Sequence, residues 1–154
     1  MKSVILWGAG SVGKTHTMNK VIRILCEKYG ATVLYGDNYQ IDNESEDKCL
    51  VVSVFNKNIA IFTGGDDRTI IESNLKKLDE FNIDYDFLLG VSRTKGSSCD
   101  GIYDRFNSEK DEIFWIRVAE ISDKKLSEKN FSIAHSIVQH QQALSIIEIM
   151  NFII

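Results

Sequence analysis

The opening fifteen residues constrain the fold more than any other part of this chain. Val4-Ile5-Leu6-Trp7 is an apolar run with no polar alternation, and it ends at a glycine. Such a run suits a strand buried on both faces. Gly8-Ala9-Gly10-Ser11-Val12-Gly13 follows, and from Lys14 the apolar residues fall at Met18, Val21, Ile22 and Leu25. That spacing is one face of a helix, with Gly30 placed to end it. A buried strand that turns through a glycine loop straight into an amphipathic helix opens a βα unit. It commits the chain to a sheet covered by helices.

The remaining pattern extends that choice. Thr32 to Tyr35 reads as a second strand, and residues 38 to 48 as a polar, acidic loop. Leu50 to Phe55 and Ile59 to Thr63 flank Asn56-Lys57-Asn58, which predicts an antiparallel hairpin. Ile70, Ile71, Leu75 and Leu78 mark a helix that starts near Arg68. Tyr85 to Val91 and Ile113 to Val118 read as strands, Ser92 to Asp100 as a loop, and Gly101 to Asp111 as a weak helix. A long helix is predicted from Asn130 to about Asn151, with Ile133, Ile137, Leu144, Ile147 and Met150 near one face. The expected architecture is α/β, a three-layer sandwich around a mainly parallel sheet, with one antiparallel hairpin strand at an edge. Residues 1–154 form one domain in this reading.

The glycine loop carries the chemistry. Gly8 to Thr15 fits G-x-x-x-x-G-K-[ST] at every fixed position. Its glycines let successive backbone N–H groups turn inward toward phosphate oxygens, and the positive end of the following helix adds attraction. On these residues the chain resembles the P-loop NTPase superfamily. The resemblance implies a nucleotide-binding fold for Mg-ATP or Mg-GTP, with Gly8, Ala9, Gly10, Ser11, Val12, Gly13, Lys14 and Thr15 around the phosphates. Lys14 would be the phosphate lysine and Thr15 the magnesium ligand. His16 either shields the nucleotide or is a half-exposed helix residue.

Members of that superfamily hold the magnesium through a second acid at the end of an apolar strand. Ile59-Ala60-Ile61-Phe62-Thr63-Gly64-Gly65-Asp66-Asp67 is the best match, although two glycines precede its carboxylates. Asp66 is the candidate for the metal and for positioning a water. Asp67 is more simply the cap of the helix at Arg68. Asp37 stands where an acceptor-binding acid of small-molecule kinases would stand, but Gly36-Asp37-Asn38 is also plain turn chemistry, which is favoured. Arg93 and Lys95 follow a strand end, on the ligand side of an open sheet. Arg93 is the candidate for neutralising transition-state charge; the alternatives are that Arg93 and Lys95 line the base pocket or are solvated loop charges. His135 and His140 lack metal-ligand spacing.

Composition narrows the function. A net charge of −4 argues against a general nucleic-acid surface. No apolar run has membrane-spanning length. Cys26, Cys49 and Cys99 form no CxxC pair, which suits free thiols in a reducing cytoplasm. The guanine signature Asn-Lys-x-Asp is absent, which tilts the base choice toward ATP over GTP. The expected function is Mg-dependent nucleoside triphosphate binding with slow hydrolysis, as a partner-regulated ATP hydrolase or switch. A small-molecule kinase and a nucleotide sensor without turnover are the alternatives. The apolar end of the last helix, with Ile146, Ile147, Ile149, Met150, Phe152, Ile153 and Ile154, is either docked on its own domain or an interface to a protein partner or a second copy.

Overall fold

A computed structural model describes residues 1–10, 13–40, 45–93, 97–106, 109–121 and 126–154, without the side chains of residues 97 and 98. Ten elements follow in chain order: β1 (Lys2–Trp7), α1 (Lys14–Tyr29), β2 (Thr32–Gly36), β3 (Cys49–Val54), β4 (Lys57–Phe62), α2 (Arg68–Glu80), β5 (Phe87–Ser92), α3 (Ser97–Arg105), β6 (Glu112–Arg117) and α4 (Glu128–Ile153). The six strands form one sheet in the order β2-β3-β4-β5-β1-β6. β1 pairs in parallel with β5 on one side and β6 on the other, and β4 pairs in parallel with β5. β3 is antiparallel to both of its neighbours.

The expected antiparallel strand is therefore present, but it is not at the edge. β3 lies inside the sheet, and β2 covers its outer side. The turn also differs from expectation. Val54 pairs with Lys57, so the loop is only Phe55-Asn56. Both residues have positive φ, 54° and 57°. This left-handed pair matches the twist of the two strands it joins.

Central position explains the run in β1. Val4, Ile5 and Leu6 are each 0 % exposed. Burying such a side chain stabilises the fold by about 1.5–3 kcal/mol relative to leaving it in water. α1 packs on β1, β5 and α4, whereas α2 packs on α3 and β3. This arrangement is consistent with a three-layer α/β sandwich. α1 ends at Gly30 as its pattern predicts, and the amide of Ala31 bonds the carbonyl of Leu25 at 2.9 Å. Exposed ion pairs join α2 to α3, Arg68 to Asp104 and Arg105 to Asp79, and Arg68 also pairs with Glu72 within α2.

Two helices depart from their sequence pattern. α3 begins at Ser97, inside the stretch that reads as loop, and ends at Arg105. On α4, the face read from Ile133, Ile137, Leu144, Ile147 and Met150 is not buried along its length: Ile147 and Met150 are buried, but Ile133 and Ile137 are 52 % and 57 % exposed. The buried residues of α4 are Gln139, Ala143, Ile146, Ile147 and Met150. Its second half docks on the domain, while its first half overhangs a cleft and turns a polar face inward. At its end, Phe152 is 91 % exposed. Among the described residues, no helix is long and apolar enough to cross a membrane.

Candidate functional site

Parallel strands bring their carboxyl ends to one side of the sheet, and the loops that leave β1, β4 and β5 meet there. The amide of Gly8 bonds the carbonyl of Ser92 at 3.2 Å, and the amide of Arg93 bonds that of Gly65 at 3.1 Å. Three segments far apart in sequence thus form one rim. Of the loop residues read from the sequence, Ser11 and Val12 lie outside the described residues, as does Lys95.

Gly13 caps α1 with φ 93° and ψ 19°, and as a glycine it offers the first amides of the helix no side-chain cap. The amide of Thr17 bonds the carbonyl of Gly13 at 2.9 Å, so the helical ladder starts at the loop. Glycine is favoured here by its backbone, and a larger residue would also displace the Gln139 side chain. The left-handed backbone disfavours any Cβ, and a Cβ would lie 2.5 Å from Nε2 of Gln139. The end of α1 carries partial positive charge, with no acid in its first turn to offset it.

Lys14 is 5 % exposed. Its ammonium donates to the carbonyls of Gly8 at 3.0 Å and Ala9 at 2.6 Å, and lies 3.7 Å from the carboxylate of Asp66. Burial lowers its pKa from the ordinary lysine value. Asp66 works against that shift, and the nearby Arg93 guanidinium adds to it. Arg93 itself lies against the loop, since a Cβ on Gly10 would be 3.4 Å from its guanidinium nitrogen. Two cations therefore share this corner with one carboxylate that is 63 % exposed.

Thr15 faces a different acid. Its hydroxyl is 3.1 Å from Oδ1 of Asp47 and 3.0 Å from the carbonyl of Thr63. One hydroxyl proton serves these two acceptors in turn. Asp47 is held by its neighbours: Asn19 donates to the carbonyl of Glu46 at 2.9 Å, and the amide of Lys48 donates to the Thr63 hydroxyl at 2.7 Å. Gly64 leaves room for the carboxylate, because a Cβ there would lie 2.5 Å from Oδ2 of Asp47. The sequence reading placed Asp47 in a polar loop and gave it no role. Its position follows from the pairing of β3 with β4, which brings Lys48 beside Thr63.

The other sequence candidates are distributed as follows. Asp66 sits on Lys14, and the carboxylate beside Thr15 is that of Asp47. Asp67 caps α2, accepting from the amide of Ile70 at 2.9 Å. Asp37 accepts from the amide of Cys49 at 2.8 Å and from Lys77 at 3.1 Å, a structural role in its turn. His16 lines the cleft, and His140 is exposed. No group of three or more His, Cys, Asp or Glu side chains among the described residues could hold a metal ion by itself. The oxygens gathered at Thr15 are a hydroxyl, a carbonyl and one carboxylate, which are hard donors of the type magnesium takes together with water and phosphate.

A cleft of about 740 Å³ opens over this corner. One wall is Gly13 to His16 with Ser45 and Asp66, and the other is the first half of α4. α4 is fixed over the loop through Gln142, which donates to the carbonyl of Arg117 at 2.9 Å and accepts from the amide of Ala119 at 2.8 Å. His135 belongs to this wall, and the sequence reading left it silent. The three-and-four spacing of Glu128, Phe131, Ser132, His135, Ser136 and Gln139 marks a single helix face and was the available signal. Comparison of the chain with protein-family models, with curated proteins and with solved structures gives no match.

Proposed function

We propose that the chain binds a magnesium-bound nucleoside triphosphate at Gly8–Thr15 and hydrolyses it slowly, as a P-loop-type switch or partner-regulated NTPase. The observation that carries this reading is the convergence at the start of α1. An uncapped helix end, the Lys14 ammonium and the Arg93 guanidinium supply positive charge, while the Thr15 hydroxyl stands beside the carboxylate of Asp47. Helix N-termini with inward N–H groups suit phosphate, and a lysine and an arginine neutralise charge that develops on a transferred phosphoryl group. In this reading Lys14 leaves the carbonyls of Gly8 and Ala9 for the β and γ phosphates. Thr15 ligates magnesium, which would neutralise phosphate charge, and Asp47 orients that hydroxyl. Asp66, which lines the cleft beside Lys14, orients the attacking water. ATP is the preferred nucleotide, on the missing guanine signature.

Hydrolysis is favoured over transfer to a small acceptor because Asp37, the acceptor candidate, is engaged by Cys49 and Lys77. Slow turnover follows from Arg93 being an exposed side chain, which a partner or a second copy would fix. The test is calorimetric titration of the parent and Lys14→Ala with ATP and GTP, with and without magnesium. Magnesium-dependent binding in the parent and its loss in Lys14→Ala is the expected result. Equal affinity in the two proteins refutes the assignment.

A further inference from the structure

The triphosphate reading uses only one wall of the cleft. The opposite wall is built by α4, where Phe131 and His135 stand one turn apart with ring centroids 5.2 Å from each other and planes tilted by 36°. Both line the cleft across from Gly13 to His16. The imidazole lies over the loop, since a Cβ on Gly13 would be 3.4 Å from its Cε1 and Nε2. Nε2 of His135 is buried against the loop and has no hydrogen-bond partner among the described residues. Glu128 stands at the start of the same wall. Its acid sends the phosphates to the Lys14 and Arg93 corner and leaves the α4 side for the uncharged part of a ligand. The cleft volume lies in the range of small-molecule and cofactor pockets.

We infer that α4 holds the nucleoside of the bound nucleotide, with the purine base against the Phe131–His135 ring pair. This inference rests on the triphosphate reading of Gly8–Thr15 and names the other half of that ligand's site. Stacking on an aromatic ring strengthens binding of every base, because each has a π face. The wall therefore adds affinity for adenine and guanine nucleotides alike and none for a bare polyphosphate.

The experiment compares Mg-ATP, Mg-GTP and Mg-tripolyphosphate on the parent, Phe131→Leu, Phe131→Tyr and His135→Ala. Phe131→Leu keeps apolar packing but removes the ring, and it weakens ATP and GTP about tenfold each if stacking is lost. Tripolyphosphate affinity stays at the parent value, which also shows that the variant is folded. Phe131→Tyr restores nucleotide affinity, and His135→Ala weakens nucleotides but not tripolyphosphate. Three outcomes overturn the inference while leaving the phosphate loop in place: equal affinity of the parent for ATP and tripolyphosphate, no change in any variant, or an equal loss for all three ligands. A parent that binds none of the three overturns the triphosphate reading as well.

Discussion

The hydroxyl of Thr15 lies 3.1 Å from the carboxylate of Asp47, a residue thirty-two positions further along the chain. The hydroxyl that follows the glycine loop is thereby tied to the segment just before β3, outside the βα unit that carries the motif. Outer groups that orient a metal ligand commonly change metal affinity ten- to a hundredfold when they are removed.

Asp47→Ala and Gly64→Ala should therefore behave alike. The first removes the carboxylate. The second places a methyl group 2.5 Å from Oδ2 and 2.6 Å from Cγ of Asp47, so the carboxylate must leave Thr15. Both variants should need about tenfold more magnesium to reach full ATP affinity. Titrating nucleotide binding against magnesium measures this. An unshifted magnesium midpoint in both variants removes Asp47 from the site.

Lys14→Met should lose triphosphate binding and gain stability without nucleotide. Burial lowers the lysine pKa in the folded protein below its ordinary 10.5. The unfolded chain then binds more protons between those two values, so the parent gains stability as pH rises through that window. Below it, keeping the ammonium charged costs the folded state the full penalty. The variant carries no such penalty, so its Tm should exceed that of the parent at neutral pH, with the gap closing toward pH 10.5. Thermal melts of both proteins across that range check the sign. A gap that widens with pH contradicts it.

Arg93→Ala should bind ATP but slow single-turnover hydrolysis on the order of a thousandfold, the usual scale for a missing arginine in phosphoryl transfer. Asp66→Ala should slow it on the order of a hundredfold through the loss of an oriented water. Rapid quench of purified protein with excess enzyme over nucleotide reads both. Fast turnover that survives both substitutions means that other residues carry the chemistry.

Thiol labelling should separate the three cysteines. Cys49 is 2 % exposed, and burial pushes its thiol up to about 12; Cys26 is 8 % exposed and pushed up to about 11 by the same cause. Thiolate is the reactive form, so both should be slow in the folded protein at pH 8. Cys99 is half-exposed, with Sγ 3.4 Å from Oγ of Ser92. A single fast equivalent that disappears in Cys99→Ser is the expected result. Persistence of that equivalent in the variant assigns it elsewhere.

Local signals were legible, and long-range ones were not. β1, α1, the Gly30 stop and the Asp67 cap each depend on residues within a turn or two of one another, so periodicity and capping chemistry specify them. The Phe55-Asn56 turn was hidden because its left-handed pair carries a phenylalanine where such turns favour asparagine or glycine. The inner place of β3 depends on β2 folding back over it, which no local pattern encodes. The two groups added to the site fail for the same reason. Asp47 reaches Thr15 through strand pairing, and His135 reaches the loop through the docking of α4 on α1. A polar face on a helix can be read from spacing, but the neighbour it meets cannot.

The contact between Gly13 and Gln139 also orders events during synthesis. The glycine loop leaves the ribosome early, and the sheet can close once β6 has followed. At that stage the loop has strands beneath it and solvent above it, because the residues that face it from α4 are still to be translated. A nascent chain stalled after β6 would present Lys14 and Thr15 in an open trough instead of a two-walled cleft. The completed cleft, and with it any grip on the nucleoside, comes into being only when the last helix swings in and Gln142 latches onto Arg117 and Ala119.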